Sequence, residues 1–281
     1  MAEPTAGAGA HDVIPEELRR SMLSGFSLAL GGANVIMQLS RLPVGHGVAE
    51  STVESGSLHT HPLKRTRTTL SYIMIALFGT DHERDVMRRE VNRQHRQVRS
   101  NADSPVDYDA FDPELQLWVA ACMYRGVEDV ALLFYGADPE VLDVLYRHSA
   151  RFATTLQVSP DRWPADRAAF DEYWAAALAE VSMDDVTRRF LYGIASLGFL
   201  PAPLSRLLGP GHRFITTGFL APRFRDEIGL AWSPGRQRLF DVLCRVEVRL
   251  NGWVPRVLRE FPWNLYLWEA RRRIRLGRPI V

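Results

Sequence analysis

Lysine is almost missing from this chain: Lys64 stands alone, and the other 33 basic residues are arginine. The bias points first to a GC-rich genome and only second to a preference for anions. Cysteine is scarce as well. Cys122 and Cys244 lie far apart and form no CxxC pair, which excludes a zinc ribbon and a disulfide framework. Each sits in an apolar run and is expected to be a buried thiol in a reducing compartment. Net charge is nearly absent, +1 over 281 residues, so the concentrated positive field that phosphates require is lacking and nucleic acid is not expected as a partner. No GxSxG, P-loop, GxGxxG or HExxH motif occurs, which removes the usual hydrolase, nucleotide and zinc-protease readings. A membrane-spanning run is missing too. The stretch 21–40 is uncharged, but Gly25, Gly31, Gly32, Asn34 and Gln38 interrupt it; it suits a buried helix starting near Gly31 better than a span. Met1 to Asp12 is small, polar and acidic, without the basic-then-apolar layout of a secretory signal. A cytoplasmic location is expected.

What is present is helical periodicity. The composition, 46% hydrophobic and 24% charged, is that of an ordinary globular chain. Leu63, Leu70, Ile73, Met74 and Leu77 recur at helical spacing over 63–78. Thr80 and Asp81 offer an N-cap for a helix over 82–99. Asp112-Pro113-Glu114 combines a cap, a first-turn proline and an acid, and opens a helix to about Tyr135. Pro139 opens another through Phe152. Further patterns cover about 166–181, 184–197, 201–220, 233–251 and 263–277, with turns expected at Gly209-Pro210-Gly211 and Ser233-Pro234-Gly235. Alternating β patterns are rare. The expectation is an all-α fold: a flexible N-terminus over 1–14 and one globular helical domain over 15–281. The polar stretch Ser100 to Asp109 suits a loop over a site better than a domain boundary.

Histidines and arginines are what remains for chemistry. Met87, Val91, His95 and Val98 share one helix face, placing an imidazole in an otherwise apolar stripe. A neutral imidazole there suits an axial haem ligand; the alternative is a core histidine bonded to a carbonyl. Arg99, one turn on, suits a propionate or simply the helix C-terminus. Arg65 and Thr69 face the same way and can together polarise dioxygen or a carbonyl; the other reading is a solvated basic turn. Glu50 ends an apolar run and is a candidate base with a raised pKa, or a surface acid. His59 and His61 form an HxH pair that could bind a metal with Glu54 and His46. Near the end, Trp263, Tyr266 and Trp268 precede Arg271-Arg272-Arg273-Ile274-Arg275. That arrangement suits contact with an anionic membrane surface as well as a solvated helix end.

Several segments in order carry a resemblance: Gly31 to Leu39, Pro43-Val44, Gly47 to Glu50, Pro62-Leu63 with Arg65 and Thr69, Phe78-Gly79, Val91 to Arg99, Phe111 to Val119, Pro222 to Arg225, Gly229 to Trp232, and Leu250 to Pro255. Together they resemble the MpaB/rubber-oxygenase family over about 30–262. The resemblance implies a globin-like helical core around haem b, and oxygenases that cleave carbon–carbon double bonds of isoprenoid chains with dioxygen. By that likeness His95 matches the proximal iron ligand, Arg65 and Thr69 the distal polar pair, Arg99 a propionate-binding arginine and Glu50 the distal base. There are departures. Thr68 stands where rubber-cleaving members carry lysine, Asn92 where many carry arginine, and Ala120 where compact relatives carry histidine.

Two functions follow. One is a haem b oxygenase acting with dioxygen on an unsaturated or lipophilic small molecule. The other is a non-enzymatic haem- or lipid-binding helical protein, to which the three departures point.

Overall fold

The computed structural model describes residues 23–51, 62–136 and 138–280. Among these residues there are thirteen α-helices and no strand. After a 3-10 turn at Gly25–Leu30 come α1 (Gly31–Leu39), α2 (Leu42–Ala49), α3 (Pro62–Phe78) and α4 (Asp81–His95). The long α5 (Pro113–Tyr135) is followed by α6 (Pro139–Thr155), α7 (Arg167–Ala179), α8 (Asp185–Ala195) and α9 (Ala202–Phe219). The chain ends in α10 (Pro222–Ile228), α11 (Pro234–Asn251), α12 (Arg256–Arg259) and α13 (Trp263–Arg275). The described residues form the expected all-α single domain, and the stretch 1–14 expected to be flexible lies outside them.

Local chemistry sets most helix starts. Thr80 and Glu83 form a reciprocal capping box at α4. Asp112, Asp138, Asp166, Asp184 and Ser233 each accept a hydrogen bond from a first-turn N–H of the helix that follows. Ser233-Pro234-Gly235 is thus a helix start rather than a turn. Gly209-Pro210-Gly211, also expected to turn, lies inside the unbroken α9. A Cβ at Gly209 would come within 2.5 Å of the Ser196 carbonyl oxygen, so the glycine is there for close packing against the end of α8. That packing offsets the backbone hydrogen bond that Pro210 forgoes.

Two apolar cores meet at α5. One gathers α3, α5, α6 and α13 around Tyr124, Tyr146, Phe152 and Phe170. The other gathers α1, α8 and α10 around Ile36, Leu191 and Phe224, with Trp118 and Cys122 reaching in from α5. Cys122 and Cys244 are free, buried thiols, as expected. Trp118 is the joint. It is fully buried, stacks on Trp174 at 5.2 Å between centroids, lies under the Arg41 guanidinium at 4.5 Å, and donates through Nε1 to the Gln38 carbonyl at 3.0 Å. Removing it opens a void and takes the indole N–H away from the Gln38 carbonyl. We expect Trp118→Ala to cost about 4 kcal/mol, read as a shift of the urea midpoint at unchanged slope.

Candidate functional site

α4 ends earlier than periodicity suggests, at His95. The reason is tertiary. Ser100 N donates to the Tyr108 carbonyl (2.8 Å) and Ala110 N to the Val98 carbonyl (2.9 Å), an antiparallel bridge that claims the backbone of the expected last turn. The loop between them folds over a cavity of about 230 Å³, with Tyr108 and Asp109 in its wall. The stretch from Ser100 to Asp109 is thus a loop, and its end borders this cavity.

His95, Arg65, Thr69 and Thr68 all line this cavity. Met87 and Val91 are buried as the stripe predicts. The His95 Nδ1 is buried and has no hydrogen-bond partner among the described residues, and Phe111 meets the ring edge-on at 6.3 Å. Burial, helped by the positive charge of Arg65 and opposed by Asp109, brings the His95 pKa down to about 4, so the imidazole is neutral at ordinary pH. Burial also lowers the Arg65 pKa. Among the described residues no carboxylate is ion-paired with that guanidinium. Arg65 and Thr69 are at the same time part of the wall of a second cavity, about 410 Å³. Gln38, Leu39, Val48 and Met123 complete the shared wall. Two polar groups of the second cavity are turned into protein: Asn34 Nδ2 donates to the Cys122 carbonyl (2.6 Å), and His212 Nδ1 to the Ala195 carbonyl (2.8 Å). Its inner surface is chiefly apolar, with Ile73, Val127, Phe190 and Ile194 among its lining.

Arg99 is not brought to the cavity. It is exposed and donates to the Arg96 carbonyl at 3.2 Å. Glu50 is one residue behind the wall, whose nearest member in sequence is Ser51. It accepts from Ser104 Oγ (2.8 Å) and Tyr108 Oη (3.1 Å) and is bonded to His46 Nδ1 (2.5 Å). Its pKa departs from the expected rise. Burial alone would raise it, but the bonds from His46, Ser104 and Tyr108 outweigh burial and hold it below the usual carboxylate range. Glu50 is thereby favoured in its ionised form.

His46 is the residue that sequence reasoning undervalued. It is fully buried, with Nδ1 on Glu50 and Nε2 on Asp184 Oδ2 at 2.6 Å. Burial opposes its protonation, and the two carboxylates more than compensate, so its pKa is raised. Asp184 is correspondingly lowered to about 2: burial acts against this, but the Thr187 backbone N–H and the imidazole prevail. His46 thus ties α2 to the cap of α8 and, through Glu50, to the loop over the cavity. The available signal was local: Gly45 precedes His46, and Glu50 follows one turn on. A Cβ at Gly45 would lie 2.8 Å from the Leu39 carbonyl oxygen and 2.7 Å from Thr187 Cγ2, so only glycine lets α2 seat its histidine this deeply. With both nitrogens engaged, His46 is not free for a metal. His59, His61 and Glu54 lie outside the described residues, and among the described residues no group of three or more ligands could hold a metal ion. A surface groove of about 500 Å³ between α13 and the start of α4 offers no free acid, because Glu83 is paired with Arg271 and Glu260 with Arg256.

A family model described as "ER-bound oxygenase mpaB/B'/Rubber oxygenase, catalytic domain" matches residues 18–249. The chain therefore belongs to the MpaB/rubber-oxygenase family, a family of oxygenases, and so of oxidoreductases. It is also similar to two mycobacterial proteins, "Uncharacterized protein Mb2261" of Mycobacterium bovis (strain ATCC BAA-935 / AF2122/97) and "Uncharacterized protein Rv2237" of Mycobacterium tuberculosis (strain ATCC 25618 / H37Rv). Each is 48% identical over 255 residues, covering 90% of this chain and 100% of the relative. No solved structure matches. Among the described residues no helix is long and apolar enough to cross a membrane.

The charges of the His46 clamp give it a pH signature. A raised imidazole pKa stabilises the fold fully below the ordinary imidazole range, and that gain is lost as pH rises through the raised value. Lowered carboxylates stabilise above the ordinary carboxylate range, and that gain is lost as pH falls, for Asp184 toward about 2. The clamp is strongest between the two ranges, about pH 4.5 to 6.5. We expect His46→Ala to cost about 3 kcal/mol at pH 6 and distinctly less at pH 9, measured by urea unfolding. An equal cost at both values would mean that packing rather than charge holds the site.

Proposed function

We propose that this protein is a haem b-dependent oxygenase acting with dioxygen on an unsaturated, lipophilic small molecule. The observation that carries the reading is the pairing, on one cavity, of a neutral imidazole lacking a partner at Nδ1 with a guanidinium lacking an ion pair among the described residues. A buried cation without a counter-charge is costly, and an anionic ligand with a metal for the imidazole relieves both deficits. The donor set therefore fits haem. His95 would hold the iron, and Arg65 with Thr69 would form the opposing polar pair. Arg99, exposed and away from the cavity, is given no part in holding the group.

Haem iron, when bound, supplies the activation of dioxygen. The chain's own residues do the rest. Arg65 and Thr69 orient and stabilise negative charge that develops beside them. Tyr108 lines the cavity, and its hydroxyl donates to Glu50. Glu50, kept ionised by His46, accepts a proton behind it. The apolar lining of the second cavity excludes water and favours a lipophilic substrate.

The test is the ultraviolet–visible spectrum of the purified protein with and without haemin. A Soret band that His95→Ala abolishes, and turnover that falls about 100-fold in Arg65→Gln, are expected. A protein that stays colourless with haemin, or that keeps haem at unchanged affinity without His95, would overturn the reading and favour the lipid-binding alternative.

A further inference from the structure

Far from His95 in the sequence, the C-terminal part leaves apolar side chains bare. On α11, Phe240 and Cys244 face inward, whereas Leu239, Leu243, Val246 and Leu250, on one helical face, are 41–57% exposed. The turn beyond it carries Trp253 at 89%, Val257 at 73%, Leu258 at 67% and Phe261 at 56% exposure, and Trp268 follows on α13. The two sides of this turn are fastened at one point: Ser24 Oγ donates to Asn251 Oδ1 (3.1 Å), and Trp263 Nε1 donates to the Ser24 carbonyl (3.0 Å). The bare residues thus ride on a closed, anchored turn. So much clustered apolar exposure marks an interaction surface.

Charge says what kind of partner suits it. Residues 231–281 hold eleven arginines and four carboxylates, while the first 230 residues hold 23 basic and 29 acidic side chains. The near-neutral total hides a strongly cationic end on an acidic body. Glu260 and Glu269 are already neutralised by Arg256 and Arg273, and Arg245, Arg249, Arg272 and Arg275 are exposed. A second copy of the chain would press arginine against arginine, an arrangement that costs affinity. An anionic lipid surface answers both features: tryptophan and phenylalanine settle at the headgroup boundary, and arginine meets lipid phosphate.

We propose that the end of α11, the turn over 252–262 and the start of α13 dock this protein peripherally onto an anionic bilayer, with Trp253, Val257, Leu258 and Phe261 at the acyl boundary. The apolar second cavity has Pro262, Trp263 and Tyr266 in its wall, directly after Phe261. Docking therefore sets that cavity against the lipid phase. The proposal stands whether or not the protein binds haem.

The test is flotation of the full chain with vesicles of phosphatidylcholine alone or mixed with phosphatidylglycerol. The full chain should float with the mixed vesicles at low salt, not with the neutral ones, and release as salt screens the charges. Trp253→Ser combined with Phe261→Ser should weaken binding tenfold or more, about the fold-change for withdrawing large apolar side chains from contact. Arg245→Gln with Arg272→Gln should erase the preference for anionic lipid. Both sites are exposed, and unchanged circular dichroism will confirm that the variants fold. Three results would overturn the proposal: no binding to either vesicle, equal binding by the Trp253/Phe261 variant, or binding that appears only after residues 1–20 are removed, which would make that segment the cover. Concentration-dependent dimerisation abolished by Trp253→Ser, without vesicle binding, would reassign the face to a second copy.

Discussion

His46 has a carboxylate on each ring nitrogen and almost no contact with water, and three separate parts of the chain meet through it. The two carboxylates favour the protonated imidazole and raise its pKa against the cost of burial. Its two bonds hold α2 against Asp184, which caps the first turn of α8, and against Glu50, which accepts from Ser104 and Tyr108. The loop that covers the His95 cavity is thereby fastened from behind. Tyr108, in the wall of the His95 cavity, is thus tied to this polar joint.

Helix starts were legible because their causes are local. Asp112-Pro113 and Thr80 with Glu83 carry their own caps, and the observed α5 and α4 begin where those residues place them. The shared orientation of Arg65 and Thr69 follows from helical spacing alone, and both reach the cavity. What failed to show had distant causes. The end of α4 is set by backbone pairing with residues 108–110, which displaces Arg99 from the helix it was expected to extend. The unbroken course of α9 through Gly209-Pro210-Gly211 depends on how closely α8 approaches. The clamp on His46 joins residues 138 positions apart, so no window of sequence contains it. Glu50 was noticed, but the sign of its pKa shift was not foreseeable without its three donors.

Family membership and geometry bear on different questions. The matched family defines an oxygenase, whereas the geometry bears only on which side chains share a cavity. The three departures, Thr68, Asn92 and Ala120, fall in unlike surroundings. Thr68 is in the cavity wall, Ala120 is fully buried in the core, and Asn92 has a buried Oδ1 without a partner among the described residues. The first can tune chemistry directly; the second is a packing position, where a larger residue would need the surrounding helices to move.

Arg65 belongs to the walls of both cavities, and this has a thermodynamic consequence. A ligand that neutralises the guanidinium from one side changes the field felt on the other, so the two occupancies are energetically coupled. Such coupling is reciprocal: whatever the first occupant does to the affinity of the second, the second does to the first by the same factor. An uncharged occupant of the larger cavity that excludes water from Arg65 would in turn strengthen its hold on an anion in the smaller one. The arrangement makes order of binding matter kinetically while leaving the sum of the two binding free energies unchanged.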